Sequence, residues 1–504
     1  MREFLDRFLN RTTTYRLMLY YLIFLVGTAL LLSALGILPF SAASLLFSAL
    51  FLVTVGWITN LVFAWVFGAV TNVESVYITA LILALIISPV NSISGLAFLF
   101  WAAVLAMAGK FILARQKKHL FNPAALAVFL TAVILGESAT WWVGSTPMLI
   151  PVLAGGIFIV RKVQREQLVL TFIVTVLLVS LAFNFSSGPE LLRLLTAIFL
   201  DTPILFFAFV MLTEPLTMPP VANLRLLYAA LVGFLFVPQV HFGGFYTTPE
   251  AALLIGNLFS YLVGSQKRLV LSLEQKIPTG TDTWDFLFSK NEDFGYQPGQ
   301  YLEWTLPGEQ ADSRGNRRYF TLASSPTESH FRLGVKTYQP ASTFKQKMLA
   351  MRTGDTITAS QLAGDFTLPG DQKEKLVFIA GGIGITPFRS MIKYLLDSGQ
   401  KRPIVLLYAN KTADEILYRE VFSEAESTGI KTVYTLTDTN GLPDNWNGRT
   451  GRINEQMIKE EVPDYRERLF YLSGPRFMVT GFEEVLKRMG VSRGKIKVDY
   501  FPGF

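Results

Sequence analysis

The chain has 504 residues, of which 51% are hydrophobic, and 45 basic against 38 acidic side chains give a net charge of +7. It contains no cysteine, which excludes disulfides, thiolate catalysis and cysteine-ligated iron–sulfur clusters. The modest positive charge requires no nucleic-acid partner, because Lys and Arg beside membrane spans account for it.

Apolar residues are concentrated in residues 16–264, whereas residues 265–504 have the composition of a soluble protein. Residues 1–15 are charged, and we predict a cytoplasmic amphipathic lead-in. A membrane span needs about 20 apolar residues, or fewer where the helix is broken or packed within protein. This predicts a polytopic α-helical domain of about ten spans in a lipid bilayer: 16–37, 42–68, 76–90, 95–114, 121–136, 147–161, 168–185, 191–212, 223–238 and 249–264.

Charges between the predicted spans indicate the orientation. With the N-terminus inside, the basic stretches 115–119, 161–166, 223–225 and 265–268 all fall on the cytoplasmic side. The opposite loops, such as "GESATWWVGST", contain no Lys or Arg. This positive-inside asymmetry predicts a multi-pass protein of the cell (inner) membrane with its soluble half in the cytoplasm.

The two shortest predicted spans, 76–90 and 121–136, begin at polar residues of capping type, Glu74 and Ser75 in one and Asn122 in the other. Short, polar-led spans at corresponding places in two halves are typical of inverted repeats with discontinuous helices, which build central binding sites. We predict such a pair here. Ordinary capping of short membrane helices is the alternative.

Four stretches of this half, "SVYITALILALIISP", "KHLFNPAALAVFL", "WWVGSTPMLIPVLAGGIFIVRKVQR" and "FVMLTEPLTMPP", occur in that order. Together they resemble the membrane flavoprotein family whose members serve in Rnf complexes and in the sodium-pumping NADH:quinone oxidoreductase. The resemblance implies two inverted five-helix repeats. It also implies a flavin, FMN or riboflavin, within the bundle and a second FMN attached covalently to a threonine on the outer side.

The family's attachment motif is approximately Asp-x-Ser-Gly-Ala-Thr, and "GESAT" stands at the matching place. Thr140 would then be the residue that accepts the FMN. Glu137 stands where the motif has Asp, and the glycine between Ser and Ala is absent. An outer loop with two interfacial tryptophans is the alternative. For the non-covalent flavin we predict Asn122, Thr213, Glu214 and Thr217, because Glu214 is costly in lipid without a partner. A polar helix end breaking at Pro215 is the alternative there.

The soluble half changes its pattern near residue 370. Residues 265–370 contain short alternating segments separated by turns, which predict a small antiparallel β-barrel. Residues 371–504 alternate apolar strands with amphipathic segments, which predicts an α/β domain with a parallel sheet and a site at the strand carboxyl ends. "FIAGGIGITPFRS" follows one such strand and opens a helix, so Gly381, Gly382 and Gly384 would let the backbone approach a pyrophosphate.

The ordered series "PGQY", "RYFTLASSP", "GDF", "GGIGITP", "SGPRFM" and "DYFPGF" resembles the ferredoxin–NADP reductase superfamily across residues 266–504. The resemblance implies FAD on the barrel and NAD(P)H on the second lobe. Arg318 would contact FAD phosphate, Phe320 would pack on the isoalloxazine and Thr321 would hydrogen-bond near its N5. The remaining predicted cofactor contacts are Tyr319, Lys336, Ser342, Thr343, Thr386, Pro387, Gly474 and Pro475.

Ser473 stands where many members of the superfamily have Cys, and Phe504 would cover the flavin until nicotinamide displaces it. Thr321, Ser473 and Phe504 are therefore the predicted catalytic residues. Core aromatics and a solvated arginine are the alternatives for Phe320, Phe504 and Arg318. Lys411 and Arg419 would meet the 2′-phosphate of NADPH, but surface Lys and Arg are common, so NADH and NADPH both stay open.

A flavin takes up hydride as two electrons and releases them singly. We therefore predict a flavin-only oxidoreductase that passes electrons from NAD(P)H through FAD to a flavin in the membrane half. The final acceptor would be quinone or an extracytoplasmic molecule. A haem-type ferric reductase or NAD(P)H oxidase is one alternative, although the chain has only three histidines, His119, His241 and His330. A solute or flavin transporter with a regulatory reductase is another.

Overall fold

The computed structural model describes residues 14–68, 73–90, 93–115, 118–184, 191–264, 268–290, 294–306, 316–339, 341–439 and 442–501. Nearly all of the predicted amphipathic lead-in lies outside these residues. The chain divides into two compact units, Met1–Gly264 and Ser265–Phe504.

The first unit is built from apolar helices, with two small hairpins between them. The hairpins pair β1 (Ala114–Arg115) with β2 (Lys118–His119) and β3 (His241–Phe242) with β4 (Phe245–Tyr246). The helices are α1 Thr14–Ala34, α2 Ala42–Phe67, α3 Val73–Ile86, α4 Ile93–Ile112, α5 Pro123–Leu135, α6 Leu149–Val163, α7 Glu166–Asn184, α8 Leu191–Leu200, α9 Ile204–Met211, α10 Ala222–Phe236 and α11 Pro249–Val263.

Length and composition separate these helices into two groups. Among the described residues, five helical segments are long and apolar enough to cross a membrane, or six if α8 and α9 are taken as one span. The other four, α3, α5, α10 and α11, have 13 to 15 residues. The predicted span 191–212 corresponds to α8 and α9, between which the chain bends by 61°. Pro203 at the break has no N–H with which to continue the helical hydrogen bonds.

The short helix α3 ends inside protein. Its last turns are buried from Thr79 to Ile86. The N–H groups of Thr140 and Trp141 both donate to the Ile86 carbonyl, at 2.9 and 2.8 Å. The Trp142 indole donates to the carbonyls of Ala84 and Ile87, at 3.1 and 3.0 Å. Helix-end carbonyls away from water need such partners, which explains how a helix of 14 residues ends here.

The packing order of the helices occurs twice. In the first half α2 packs on α4, α4 on α5 and α1 on α3. In the second half α7 packs on α10, α10 on α11 and α6 on α9. The two halves meet through like helices, α1 against α6 and α5 against α11.

This order corrects the predicted pair of corresponding short spans. The segments 76–90 and 121–136 are the third and fifth helices of the same half, so they are not counterparts. By packing, the counterpart of α3 is the broken pair α8 and α9, and the counterpart of α5 is α11. Short apolar helices occur more than once in a half, so shortness alone does not identify a counterpart.

The second unit begins with an antiparallel sheet in the order β8-β7-β10-β5-β6-β9. Its inward side chains, among them Phe286, Trp304 and Phe331, form one apolar core. The helix α12, Thr343–Ala350, packs against this core through Phe344. The strands are β5 Leu269–Gly280, β6 Thr283–Ser289, β7 Tyr301–Thr305, β8 Arg317–Thr321, β9 His330–Lys336 and β10 Thr356–Ala363.

A parallel sheet in the order β14-β13-β12-β11-β15-β16 follows, with apolar clusters on both faces. Helices form the crossovers from β11 to β12, β12 to β13, β14 to β15 and β15 to β16, which is typical of parallel sheets. Its strands are β11 Leu376–Gly381, β12 Ile404–Asn410, β13 Lys431–Leu436, β14 Arg449–Thr450, β15 Leu469–Pro475 and β16 Ile496–Phe501. Its helices are α13 Thr386–Asp397, α14 Arg419–Glu426, α15 Glu455–Glu461 and α16 Arg476–Arg488.

A buried ion pair joins the two lobes of this unit. Arg389 of α13 donates to both carboxylate oxygens of Glu328, at 2.7 and 2.9 Å, and to the carbonyl of Ala323, at 2.7 Å. Tyr418 also donates to Asp285 of β6, at 2.6 Å. Ala323 follows the predicted flavin strand directly, and Arg389 lies one turn after Thr386. The pair therefore links the two segments predicted to hold the two cofactors.

Candidate functional site

Strand β8 presents two of the predicted flavin residues, Arg318 and Phe320, on one face. Side chains alternate along a strand, and Arg318 and Phe320 both lie beside Phe344, at 5.3 Å from guanidinium to ring and 5.9 Å between rings. Thr321 ends the strand, and its Oγ1 is buried without a hydrogen-bond partner among the described residues. Since a buried hydroxyl without a partner is costly, this atom fits a ligand that hydrogen-bonds to it.

Tyr319 and Lys336, two further predicted cofactor contacts, each make a polar contact with a carboxylate of the protein. Tyr319 lies on the opposite face of β8, where its hydroxyl donates to Glu303 at 2.9 Å. The strand alternation that brings Arg318 and Phe320 together necessarily separates Tyr319 from them. The Lys336 ammonium pairs with Glu415 of the second lobe at 3.0 Å, so a carboxylate takes the place expected for an FAD phosphate.

Ser342 and Thr343 form the start of helix α12. The Ser342 side chain caps the helix by accepting from the Lys345 N–H at 3.3 Å, and Thr343 is the first helical residue. Ser342 is only 2% exposed. The predicted diphosphate contact would therefore have to come from the helix terminus that these residues build, which is a favourable place for an anion.

The glycine-rich turn follows the fully buried strand β11, as predicted. Gly382 adopts φ +52, a left-handed conformation, and nothing lies within 4 Å of the place where a Cβ would stand. At Gly384 a Cβ would lie 2.5 Å from the carbonyl oxygen of Ser473. Glycine here therefore lets the turn pack directly against the end of β15. Thr386 and Pro387 then open helix α13, and the Thr386 hydroxyl donates to Ile383 at 3.2 Å.

The end of strand β15 supplies a second group of site residues. Ser473 is fully buried, and its Oγ has no hydrogen-bond partner among the described residues. Gly474 and Pro475 end the strand at the start of helix α16. Gly381, Gly384, Ser473 and Gly474 thus meet where the carboxyl ends of β11 and β15 lie side by side.

Asp499 is a residue of this site that the sequence motifs did not reveal. It is the register partner of Ser473 in the neighbouring strand β16, and its Oδ2 is buried without a hydrogen-bond partner among the described residues. Burial raises the pKa of the Asp499 carboxyl to about 7. An acid directly before the aromatic pair "YF" was the available signal. Phe504 itself lies outside the described residues.

These features fit the two predicted cofactors. FAD would use the buried Thr321 hydroxyl, Arg318 and Phe320, and NAD(P)H would use the glycine turns with Thr386 and Pro387. When bound, the flavin supplies hydride-accepting chemistry. The protein supplies buried hydroxyls that have no partner among the described residues. It also supplies glycine positions, where no side chain prevents the cofactor from approaching the backbone.

The helical unit has its own polar cluster, formed by three of the four predicted flavin residues. The Glu214 carboxylate accepts from Asn122 Nδ2 at 2.8 Å and from Thr217 Oγ1 at 3.2 Å. It also pairs with His119 Nε2 at 2.9 Å. Asn122 caps helix α5 by accepting from the Ala125 N–H at 3.0 Å. The Thr213 hydroxyl, by contrast, donates to the Phe209 carbonyl of its own helix at 2.7 Å.

The cluster extends to residues that the sequence motifs did not single out. Asn257 of α11 accepts from the Asn122 N–H at 2.8 Å, and its amide donates to the Thr217 carbonyl and the Tyr228 hydroxyl. His119 was noted only as a haem ligand with no partner histidine. An asparagine inside the apolar stretch "ALLIGNLF" was the signal for Asn257.

Thr140 lies in a separate place, at the end of helix α3. Its exposed hydroxyl is 3.0 Å from that of Ser88. The alternative of two interfacial tryptophans is wrong, because Trp141 and Trp142 are 6% and 7% exposed. The Trp141 indole donates to the buried carboxylate of Glu250 at 3.1 Å. Glu74 and Ser75 do not precede helix α3 as caps but lie in its first turn, where Glu74 pairs with Arg16 at 2.8 Å.

Comparison with known proteins bears on the second unit. Residues 378–484 match the family model for the oxidoreductase NAD-binding domain. A flavohemoprotein of Oceanobacillus iheyensis is 25% identical over 209 residues, which cover 40% of this chain and 51% of that protein. The reductase subunit of glycine betaine monooxygenase from Chromohalobacter salexigens is 26% identical over 219 residues, covering 42% and 58%. The chain thus spans little more than half the length of these curated relatives.

Among solved structures, a cytochrome P450 reductase from Amycolatopsis is similar at 25% identity, covering 47% of this chain and 70% of that one with a TM-score of 0.42. The FAD/NAD-binding domain of a Vibrio cholerae nitric oxide dioxygenase is similar at 21% identity, covering 46% and 98% with a TM-score of 0.41. The antiparallel sheet, the parallel sheet, the glycine turns and the family match together identify the C-terminal half as a ferredoxin–NADP reductase-like FAD- and NAD-binding domain.

Proposed function

We propose that the chain is a flavin-only membrane oxidoreductase that passes electrons from cytoplasmic NAD(P)H through FAD to a flavin in the helical unit. From there the electrons go to quinone or to an extracytoplasmic acceptor. The observation that carries the proposal is the cluster of Asn122, Glu214 and Thr217. A carboxylate with several polar partners stands inside an apolar helical unit, on the same chain as a reductase domain.

The repeated packing order supports a membrane domain of ten passes in two inverted five-helix repeats. Each half has helices of ordinary span length and shorter ones covered by them. A short helix is tolerated at membrane depth when protein groups satisfy its ends, as they do at Ile86. Discontinuous helices of this kind build central binding sites in membrane proteins.

The inner flavin, FMN or riboflavin, would be held at the cluster. The Glu214 side chain is 21% exposed and that of His119 is 11% exposed, so the cluster borders accessible space. Amide, hydroxyl, imidazole and carboxylate groups together match the donors and acceptors on the edge of an isoalloxazine. The chain's contribution would be to bind and orient this ring beside groups that exchange protons.

Thr140 would carry a second FMN through its hydroxyl oxygen. The hydroxyl is exposed, and the backbone on both sides of it is fixed by the bonds to Ile86. An exposed nucleophilic oxygen on a fixed loop suits covalent attachment. A covalent flavin on this side would deliver electrons to an extracytoplasmic acceptor, whereas a chain with the inner flavin alone would reduce quinone.

The placement of the histidines favours flavin over haem. Each is bonded to a different group: His119 to Glu214, His241 to the Gly243 carbonyl and His330 to Glu274. His119 and His241 belong to different hairpins, and His330 belongs to the other unit. A solute or flavin transporter is the alternative, because transporters also contain broken helices. Transport of such a solute by a variant that cannot accept hydride would favour that function instead.

Flavin analysis of the purified full-length chain tests the proposal. Protein in detergent would be precipitated with acid, and flavin would be measured in the supernatant and the pellet. We expect FAD in the supernatant together with a second flavin, and pellet flavin that disappears in Thr140→Val. FAD alone, or a Soret band from haem in stoichiometric amount, would contradict the proposed electron route.

A further inference from the structure

The cluster around Glu214 contains an acid–base pair as well as neutral donors. Glu214 follows the end of α9, and His119 ends the hairpin before α5, 95 residues earlier in the chain. The His119 Nε2 and Glu214 Oε1 atoms are 2.9 Å apart. Asn122 and Thr217 donate hydrogen bonds to the other oxygen of the carboxylate, Oε2, so the position of the Glu214 side chain is fixed.

Neutral groups would bind a ring at lower cost than this pair. Placing a carboxylate within an apolar helical unit is expensive, and an amide in its place would carry no charge, although it could accept hydrogen bonds at one oxygen only. Imidazole changes its charge near neutral pH and is the side chain best suited to passing protons. A histidine bonded to a fixed carboxylate is therefore an arrangement for taking up and releasing protons.

Other titratable groups near Glu214 are committed elsewhere. Among the described residues, Lys110 of α4 and Tyr228 of α10 are close enough to interact with it electrostatically. The Lys110 ammonium donates to Ser75, to the carbonyl at 2.8 Å and to the hydroxyl at 3.1 Å. The Tyr228 hydroxyl lies 3.4 Å from Asn257 Nδ2. His119 is thus the titratable group in direct contact with Glu214.

We propose that His119 and Glu214 form a proton-exchange pair for a redox-active ring, an isoalloxazine or a quinone, bound beside them. This inference rests on the proposed function. A quinone takes up two electrons and two protons on full reduction, and a flavin takes up two electrons and one or two protons. The electrons come from NAD(P)H through the reductase domain. Protonated His119 gives its proton to the ring and is reprotonated from water, while Glu214 stabilises the imidazolium.

Rapid mixing of the full-length protein with NAD(P)H tests the pair. FAD reduction, the first phase, is an internal control that His119→Gln and Glu214→Gln should leave unchanged. The second phase, reduction of the ring in the helical unit, should slow by about a hundredfold, the usual contribution of a general acid. In His119→Gly, added imidazole should restore it in part. Glu74→Gln is the matched control, since Glu74 belongs to a different ion pair, with Arg16.

The outcomes separate this inference from the function on which it rests. A second phase without added quinone identifies a flavin as the ring, and one that needs added quinone identifies quinone. An unchanged rate and pH dependence in Glu214→Gln would overturn the proton-exchange pair and leave the electron route standing. Loss of the second flavin in both variants would also overturn it, because the pair would then serve binding. The absence of any second phase in the wild type would overturn both.

Discussion

The two candidate cofactor regions differ in how their polar groups are satisfied. In the reductase domain, Thr321 and Ser473 each have a buried hydroxyl without a protein partner among the described residues. In the helical unit, the Glu214 carboxylate already has three partners. In the reductase domain a ligand would supply the hydrogen-bond partners that these hydroxyls lack. In the second region a ligand would have to exchange bonds that the protein already makes.

This difference has a physical origin. A soluble domain tolerates an open polar site because water occupies it until the cofactor arrives. Inside apolar helices an unpaired carboxylate is too costly, so the cluster must satisfy itself. We therefore expect substitutions in the reductase site to affect cofactor chemistry more than stability, and substitutions of buried charge partners to do the reverse.

The largest effect on stability is expected where a buried charge loses its partner. Glu328→Gln removes the carboxylate that pairs directly with Arg389, whose side chain is 4% exposed. Removing one partner of a buried pair costs about 3 kcal/mol or more. The measurement is denaturant unfolding of the full-length protein, followed by release of FAD. Glu455→Gln, which breaks an exposed pair with Lys459, is the control and should leave the midpoint of denaturant unfolding nearly unchanged.

The same pair should make stability fall in acid. Burial tends to raise the pKa of the Glu328 carboxyl, but the hydrogen bonds and charge of Arg389 outweigh it and lower the pKa below its usual value. A lowered pKa contributes stability above the unfolded-state value of about 4.3, and this stability is lost as the pH falls through the folded-state value. Equal acid sensitivity in wild type and Glu328→Gln would contradict this account of the pair.

The largest effect on chemistry is expected at the contact between the two glycine turns. Gly384→Val places a Cβ 2.5 Å from the Ser473 carbonyl, so backbone must move. Displacement of this kind typically slows a reaction by about a hundredfold. The measurement is the rate of FAD reduction by NAD(P)H in protein that retains FAD. Gly481→Ala is the control, because nothing lies within 4 Å of its Cβ position; equal rates in the two variants would count against the site.

Asp499 should make the reductase domain less stable as the pH rises. Burial raises the pKa of its carboxyl to about 7, above about 3.9 in an unfolded chain. The stability of the protonated form is complete below about pH 4 and is lost as the pH rises through 7. Asp499→Asn should therefore exceed the wild type by about 2 to 4 kcal/mol near pH 8 and match it near pH 4. If the free energies of unfolding of the wild type and of Asp499→Asn changed in parallel between these pH values, the raised pKa of Asp499 would be refuted.

The smallest expected effects come from removing one hydroxyl in each region, and they compare the two regions most directly. Thr321→Val removes a hydroxyl that has no protein partner among the described residues, so stability should change by less than about 0.5 kcal/mol, while FAD reduction slows by about fivefold. Thr217→Val removes a donor to Glu214 and should lower the stability of the helical unit by about 1 kcal/mol. Thermal unfolding and rapid mixing measure the two effects. A reversed pattern would show that the distinction between open and self-satisfied sites is wrong.

Much of the fold follows from local pattern. Runs of apolar residues located the helices to within a few residues, and alternation and the glycine loop located the strands and the turn after β11. The break between α8 and α9 had a signal in "DTP" that apolar content alone does not register. Whether a tryptophan is interfacial or buried depends on which helix end it meets, and Trp142 meets the end of α3 from 55 residues away.

Site residues that lie together in one sequence motif could be predicted. Those that are far apart in sequence and meet only in the folded structure were missed. Arg318 and Phe320 are two residues apart in strand β8, so strand alternation places them on one face, and Thr321 follows at the end of the same strand. His119 and Glu214 are 95 residues apart, and no spacing rule relates a hairpin to the end of a broken helix. Lys336 stays a predicted phosphate ligand, and its ion pair with Glu415 of the other lobe could not be predicted from sequence spacing.

Anaerobic titration of the purified full-length protein with NAD(P)H tests the central claim most directly. If FAD passes electrons to a flavin among the helices, the protein takes up about twice the reducing equivalents of FAD alone, and both flavins bleach without added acceptor. Bleaching that ends when FAD alone is reduced, in protein shown to contain a second flavin, would contradict the account.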